Sequence, residues 1–187
     1  MINNDYLIEL EDGSSGSYCD VLPVKDHPNL LFKGFKKESK ALEAYNNQIK
    51  LSEYDLAPRI IGEPCQIAYY YPPELLKNFN PQITRTNLGY LTEKAELTTD
   101  EPFDELQELC DRIKVLVKKD FWDCHFQNVG YIYRSNEKVL CCIDTGEETF
   151  DGKINTWGFD RAGPKCTECG KYKCLCLTDH WRPLGGF

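Results

Sequence analysis

Apolar residues dominate 6–10, 18–24 and 30–35, and these short stretches are separated by the Gly/Ser-rich segment 11–17 and by Asp26-His27-Pro28-Asn29. That pattern predicts three antiparallel strands at the start of the chain. Over 38–54 the spacing changes: Leu42, Tyr45, Ile49 and Leu51 recur at helical intervals among charged residues, and Pro58 stands just beyond. A helix therefore leads into a strand at 59–61. Strands are next predicted at 67–71 and 88–93, joined by a Pro- and Asn-containing loop, with 97–102 as a polar connector. Phe103, Leu106, Leu109, Cys110, Ile113 and Val117 mark one packing face of a second helix over 103–119. Strands 129–133 and 139–143 read as a hairpin around Arg134-Ser135-Asn136-Glu137. The expected class is α+β.

At 187 residues the chain can bury a sizeable core but is short for two full domains, so one body over 1–150 and an appendage over 151–187 are expected. Its apolar fraction of 41% and aromatic fraction of 12% are those of a folded protein. The apolar runs stop far short of the roughly 18 residues a membrane span requires, and Met1 to Asp5 do not resemble a secretory signal. A cytoplasmic site of action is expected, in the host cytoplasm if the chain is viral. A net charge of −8 argues against broad electrostatic binding to nucleic acid and leaves room only for a local basic groove.

The most informative polar pattern is Asp123-Cys124-His125-Phe126-Gln127-Asn128, followed after an apolar run by Ile143-Asp144-Thr145-Gly146. An Asp, an Asn five positions later and an Asp at the end of a strand set a candidate base beside two Mg²⁺ ligands, the parts needed for metal-assisted phosphoryl transfer. The plainer reading is that the three cap and solvate turns after a helix and a strand.

The order strand, Gly/Ser turn, strand, strand with Lys, helix with Glu, further strands, helix, Asp-x-x-x-x-Asn loop, hairpin and Asp-x-Gly resembles the protein-kinase-like superfamily over about 6–150. Asp123-x-His125-x-x-Asn128 is similar to the aminoglycoside and choline phosphotransferase branch and to small kinase-like proteins of bacteria and their viruses. The resemblance implies a minimal kinase-like fold, with an N-lobe over about 1–97 and a reduced C-lobe over about 98–150. It implies ATP and Mg²⁺ as cofactors, Asp123 as base, and Asn128 and Asp144 as Mg²⁺ ligands. Lys33 would hold the phosphates, paired with Glu43 or with Glu38. Gly13, Ser14, Ser15 and Gly16 would form the turn that approaches the phosphates, Leu91-Thr92-Glu93 the strand that meets adenine, and His125 a positioning group. Three features depart from the pattern: Phe121 where the family has His, Thr145 where protein kinases have Phe, and only residues 147–187 after Asp-x-Gly. The short C-terminal part keeps a second reading open, a kinase-like module that binds nucleotide or a protein partner without turnover.

Cys166-x-x-Cys169-Gly170 and Cys174-x-Cys176 are spaced to close a four-thiolate structural Zn²⁺ site, with His180 able to replace one of the last two cysteines. Such a site would supply folding energy to a tail with few apolar residues, and the flanking Trp157 and Trp181 could pack it on the body. A zinc-dependent nucleic-acid module ranks last, against the acidic charge. The other cysteines, including Cys141-Cys142 within an apolar strand, read as reduced and mostly buried thiols.

Overall fold

The computed structural model describes residues 13–15, 19–69, 85–99 and 102–150. The expectations for 6–10, for Gly16 and for the tail with Cys166, Cys169, Cys174, Cys176 and His180 lie outside the described residues.

Five strands form the first sheet: β1 (Ser14–Ser15), β2 (Cys19–Val24), β3 (His27–Phe35), β4 (Ile60–Tyr69) and β5 (Arg85–Glu93), in the order β1-β2-β3-β5-β4. Every pairing is antiparallel. β3 starts at His27, ahead of the expected 30, because the reversal needs only Lys25 and Asp26, the latter at φ 62°. β4 is one strand where the sequence suggests two. Gly62, at φ 73°, lies in a register shift between Ile61 and Cys65, and such a bulge imitates a strand break when read as sequence.

Successive strand residues face opposite sides, which sorts the sheet's apolar residues into two layers. Phe32 packs with Leu22, Val24 and Leu91 on one side. Phe35 and Tyr90 pack on the other with Ala41, Ala44 and Tyr45 of helix α1 (Glu38–Ser52). The buried stripe of α1 is Ala41, Ala44, Tyr45, Gln48 and Leu51, at helical spacing. Of the expected face Tyr45 and Leu51 are buried and Ile49 packs partly against the cluster, whereas Leu42 is 41% exposed.

The second half contains helix α2 (Phe103–Leu116) and a three-stranded sheet ordered β6-β7-β8. Its strands are β6 (Glu96–Leu97), β7 (Val129–Arg134) and β8 (Glu137–Cys142). β6 takes in Leu97, the first residue of the predicted connector, by pairing Glu96 with Tyr131 and Leu97 with Gly130. The hairpin turn is Ser135-Asn136, both at positive φ (49° and 68°), the geometry that matches the twist of paired strands. The predicted packing face of α2 is buried at Leu106, Leu109, Cys110 and Ile113. It joins Leu51, Leu56, Phe121, Cys124, Val129, Cys142 and Phe150 in the largest core cluster, so the end of α1 and the loop after α2 share one apolar interior. Among the described residues no helix is long and apolar enough to cross a membrane.

Candidate functional site

Lys33 shares the sheet face of Phe35 and points toward α1, where it is only 7% exposed. Its Nζ donates to Gln48 Oε1 at 3.0 Å and to the Ile143 carbonyl at 2.6 Å, and lies 5.8 Å from the centre of the Tyr90 ring. The α1 partner of Lys33 is thus Gln48, not Glu43 or Glu38. Glu43 lies off the buried stripe and pairs with Lys40 at 2.8 Å, and Glu38 is exposed at the first turn of the helix.

Gln48 is fully buried, and its amide has one workable orientation. Nε2 donates to the Pro58 carbonyl at 2.9 Å and to Thr92 Oγ1 at 2.5 Å. A carbonyl can only accept, so Oε1 must face the donors Lys33 and the Tyr90 hydroxyl, each at 3.0 Å, with Thr145 Oγ1 also near at 3.3 Å. Burial pushes the Tyr90 phenol well above its ordinary range, which keeps that proton in place.

The segment after β8 is tied to both sides of this cluster. The Ile143 N–H donates to the Asn128 carbonyl at 2.9 Å while the Ile143 carbonyl receives Lys33. Half-buried Asp144 accepts from the Gly146 N–H through Oδ1 at 3.2 Å, and its carbonyl accepts from the Cys142 thiol at 2.9 Å. Thr145 is buried, donates to the Ala44 carbonyl at 3.1 Å and accepts from Asn47 Nδ2 through its own carbonyl at 3.1 Å. The residue that departs from the resemblance therefore acts as a polar anchor to α1.

The loop after α2 is held from below by an apolar plug and from the side by backbone bonds. Phe121 is buried against Phe150, ring centres 5.8 Å apart, and the N–H groups of Trp122 and Asp123 both donate to the Thr149 carbonyl. Asn128, closing a short 3₁₀ turn (Phe126–Asn128), donates through Nδ2 to the Asp123 carbonyl and to Asp123 Oδ2, each at 2.9 Å. His125 Nδ1 accepts from the Gln127 N–H at 3.2 Å, which assigns the neutral ring's proton to Nε2, 3.5 Å from Asp123 Oδ1. Lys33, Asn128 and Asp123 thus belong to one hydrogen-bonded chain that runs through the Ile143 backbone, and Asp144 is the next residue after Ile143.

Other expected site residues are placed differently. Gly13 is half-buried, and Ser14 and Ser15 form a strand that pairs with Val21 and Asp20 rather than a turn. Leu91 and Thr92 lie within a strand flanked on both sides, and the Glu93 N–H donates to the Arg59 carbonyl at 2.8 Å. Their backbone is committed to the sheet, so they do not present the free edge that the resemblance assigns them. The Glu93 side chain joins the two halves through a bidentate bond to Arg134, both contacts 2.8 Å. Burial raises its carboxyl, but the Arg134 and Arg59 bonds outweigh this and hold it below the ordinary range.

Comparison of the chain with models of known protein families, and with curated proteins, finds no match. The groups on offer are the buried Lys33 ammonium, the Asn128 amide and the half-buried carboxylates of Asp123 and Asp144, of which Lys33, Asn128 and Asp123 are linked through the Ile143 backbone. Among the described residues no three His, Cys, Asp or Glu side chains are grouped as a closed metal site. With Nδ2 turned to Asp123, the Asn128 amide presents its Oδ1 away from that bond.

Gln48, Asn47, Thr145 and Glu147 were not legible as site residues. Glu147 accepts from Asn47 at 3.0 Å and from Lys119 at 2.9 Å, bridging α1 to the loop after α2. The Asn47 bond, then Lys119, hold its carboxyl below the ordinary value of 4.5. A depressed folded-state pKa contributes stability that is present above 4.5 and is lost as pH falls through the folded value. Glu147→Gln is expected to flatten the acid limb of stability below pH 4.5, measured by urea unfolding across pH. The side chain is 42% exposed, so solvent screening keeps the effect to roughly 0.5 kcal/mol. An unchanged acid limb would rule out this role.

Proposed function

We propose that this protein is a small ATP- and Mg²⁺-dependent kinase-like phosphotransferase that moves the γ-phosphoryl group to a hydroxyl acceptor. The observation that supports the reading is the run of direct hydrogen bonds from Lys33 through Ile143 to Asn128 and Asp123, with Asp144 adjacent to Ile143. The run links residues far apart in sequence whose chemical types are those that phosphoryl transfer uses.

In this reading Lys33 sets a fixed positive charge against phosphate oxygens, and its two hydrogen bonds to neutral oxygens leave that charge undiminished by a paired carboxylate. Asp123 orients the acceptor hydroxyl and takes its proton, with His125 and Asn128 restricting the carboxylate's rotation. Mg²⁺, when bound, would neutralise charge developing on the phosphates, and Asn128 Oδ1 and the Asp144 carboxylate would hold it. The cysteine tail belongs to the proposal as a structural Zn²⁺ brace.

A second reading, a nucleotide- or protein-binding module without turnover, is favoured by one observation. Lys33 is held by a neutral amide where the resemblance implies a glutamate.

The test is phosphoryl transfer from labelled ATP with Mg²⁺ into a lysate acceptor mixture, together with ATP binding by calorimetry. Asp144→Ala should abolish Mg²⁺-dependent ATP binding. Asp123→Ala should spare binding and lower transfer by on the order of 10²-fold or more. Binding without transfer in the wild-type protein would leave the binding module, and absence of ATP binding would overturn the phosphotransferase and the nucleotide-binding form of the second reading.

A further inference from the structure

We propose that Cys110 and Cys124 form a dithiol site that a two-electron oxidant of the peroxide class converts to a disulfide, fastening α2 to the loop that carries Asp123. The two sulfurs are 3.3 Å apart, the Cys110 thiol donating to Cys124, and each residue is 2% exposed. A disulfide needs about 2.0 Å, so bond formation asks for a shift of little more than 1 Å. Cys110 lies on a helix and Cys124 on an irregular loop, and the loop can supply that movement.

Neighbouring cysteines do not compete. Cys142 shares the same core cluster, but its thiol is donated to the Asp144 carbonyl and burial raises its pKa far above the ordinary value. Cys141 belongs to a separate cluster with Ala95 and Ile132. Cys141 and Cys142, being adjacent on β8, face opposite sides of the strand.

Access follows from how the loop is held. Trp122 and Asp123 are tied to Thr149, in the 3₁₀ turn Glu147–Thr149, by two N–H groups sharing one carbonyl, Trp122 is 46% exposed, and Lys118 at the loop's start has φ 62°. Opening those two bonds carries Cys124 toward solvent while Cys110 stays on its helix. In the reaction with hydrogen peroxide the Cys124 thiolate attacks one oxygen, the O–O bond breaks, hydroxide leaves and a sulfenic acid forms. Cys110 then attacks the sulfenic sulfur, the S–O bond breaks and water leaves. Overall two thiols are oxidised, one peroxide is reduced and two waters form. The site does not depend on the proposed activity.

The full-length wild-type protein is treated with hydrogen peroxide, denatured in excess N-ethylmaleimide, digested without reduction and mapped by mass spectrometry. The expected result is a cross-linked peptide pair containing Cys110 and Cys124, lighter by two hydrogens than the two reduced peptides, and lost on treatment with a thiol reductant. Proteolytic cleavage of the intact oxidised protein within 111–123 should also slow and recover on reduction. Cys142→Ser should retain the cross-link, whereas Cys124→Ser should lose it and leave Cys110 alkylated. Full alkylation of Cys110 and Cys124 after peroxide, or a cross-link joining either to another cysteine, would overturn the proposal, and the wild-type map decides this even if a variant fails to fold.

Discussion

Gly89→Ala is expected to abolish accumulation of the folded protein. A Cβ at Gly89 would sit 2.0 Å from the Lys33 carbonyl oxygen, 2.5 Å from Phe32 Cζ and 2.9 Å from the Lys33 carbonyl carbon. Two of those atoms are backbone of the adjacent strand, where Gly89 faces Gly34, and a rotamer change cannot move them. Relief requires separating β3 from β5 in the middle of the sheet, a cost of roughly 4 kcal/mol or more, comparable to the whole stability of a marginal domain. The same displacement would move Lys33, so the candidate site would fail with the fold. Circular dichroism melts and soluble yield check this. Gly62→Ala is the control: its φ of 73° makes alanine mildly strained, yet a Cβ there meets nothing within 4 Å, and about 1 kcal/mol is expected. A Gly89→Ala protein melting within a few degrees of wild type would refute the close strand approach.

Gln48→Leu is expected to destabilise the protein by roughly 3–5 kcal/mol, because a charge and several polar groups would lose their buried partner together. Lys33 and Tyr90 would lose an acceptor, and Thr92 and the Pro58 carbonyl a donor. Gln48→Glu separates the two sides of the amide. It preserves an acceptor for Lys33 but sets an oxygen against the Pro58 carbonyl, so a smaller loss of roughly 1–3 kcal/mol is expected. Urea unfolding of both variants is the measurement. A Gln48→Leu protein as stable as wild type would show that the amide network carries no net energy.

The contrast between Gln48 and Glu43 shows what the sequence could convey. Helix α1 was legible from its period, but anchoring the period on Leu42 rotates the buried stripe, whereas anchoring it on Ala41 and Ala44 brings Gln48 inward. Small residues carry little hydrophobic signal, and here they mark the closest packing against Phe35 and Tyr90. The face of α2 was legible because Leu106, Leu109, Cys110 and Ile113 are large or strongly buried, and the hairpin because Ser135-Asn136 suits its turn. The continuity of β4 was hidden by the residues that make its bulge. Of the candidate site, the contact of Asn128 with Asp123 lies within six residues and could be read locally. The contacts of Lys33 with Ile143 and of Asn47 with Thr145 depend on how two distant segments pack, which no local pattern encodes.

That last pair of contacts sets an order of events during synthesis. The carbonyl that receives the Lys33 ammonium belongs to a residue 110 positions later, and the Thr145 carbonyl that receives Asn47 lies 98 positions later. While the chain is still growing on the ribosome, the early strands and α1 are made long before those acceptors exist. Until Ile143 and Thr145 have been made and have left the ribosome, Lys33 and Asn47 have no native carbonyl from that segment to meet. Nascent chains halted before that point should expose Lys33 to amine-reactive labels, and chains released after it should protect it.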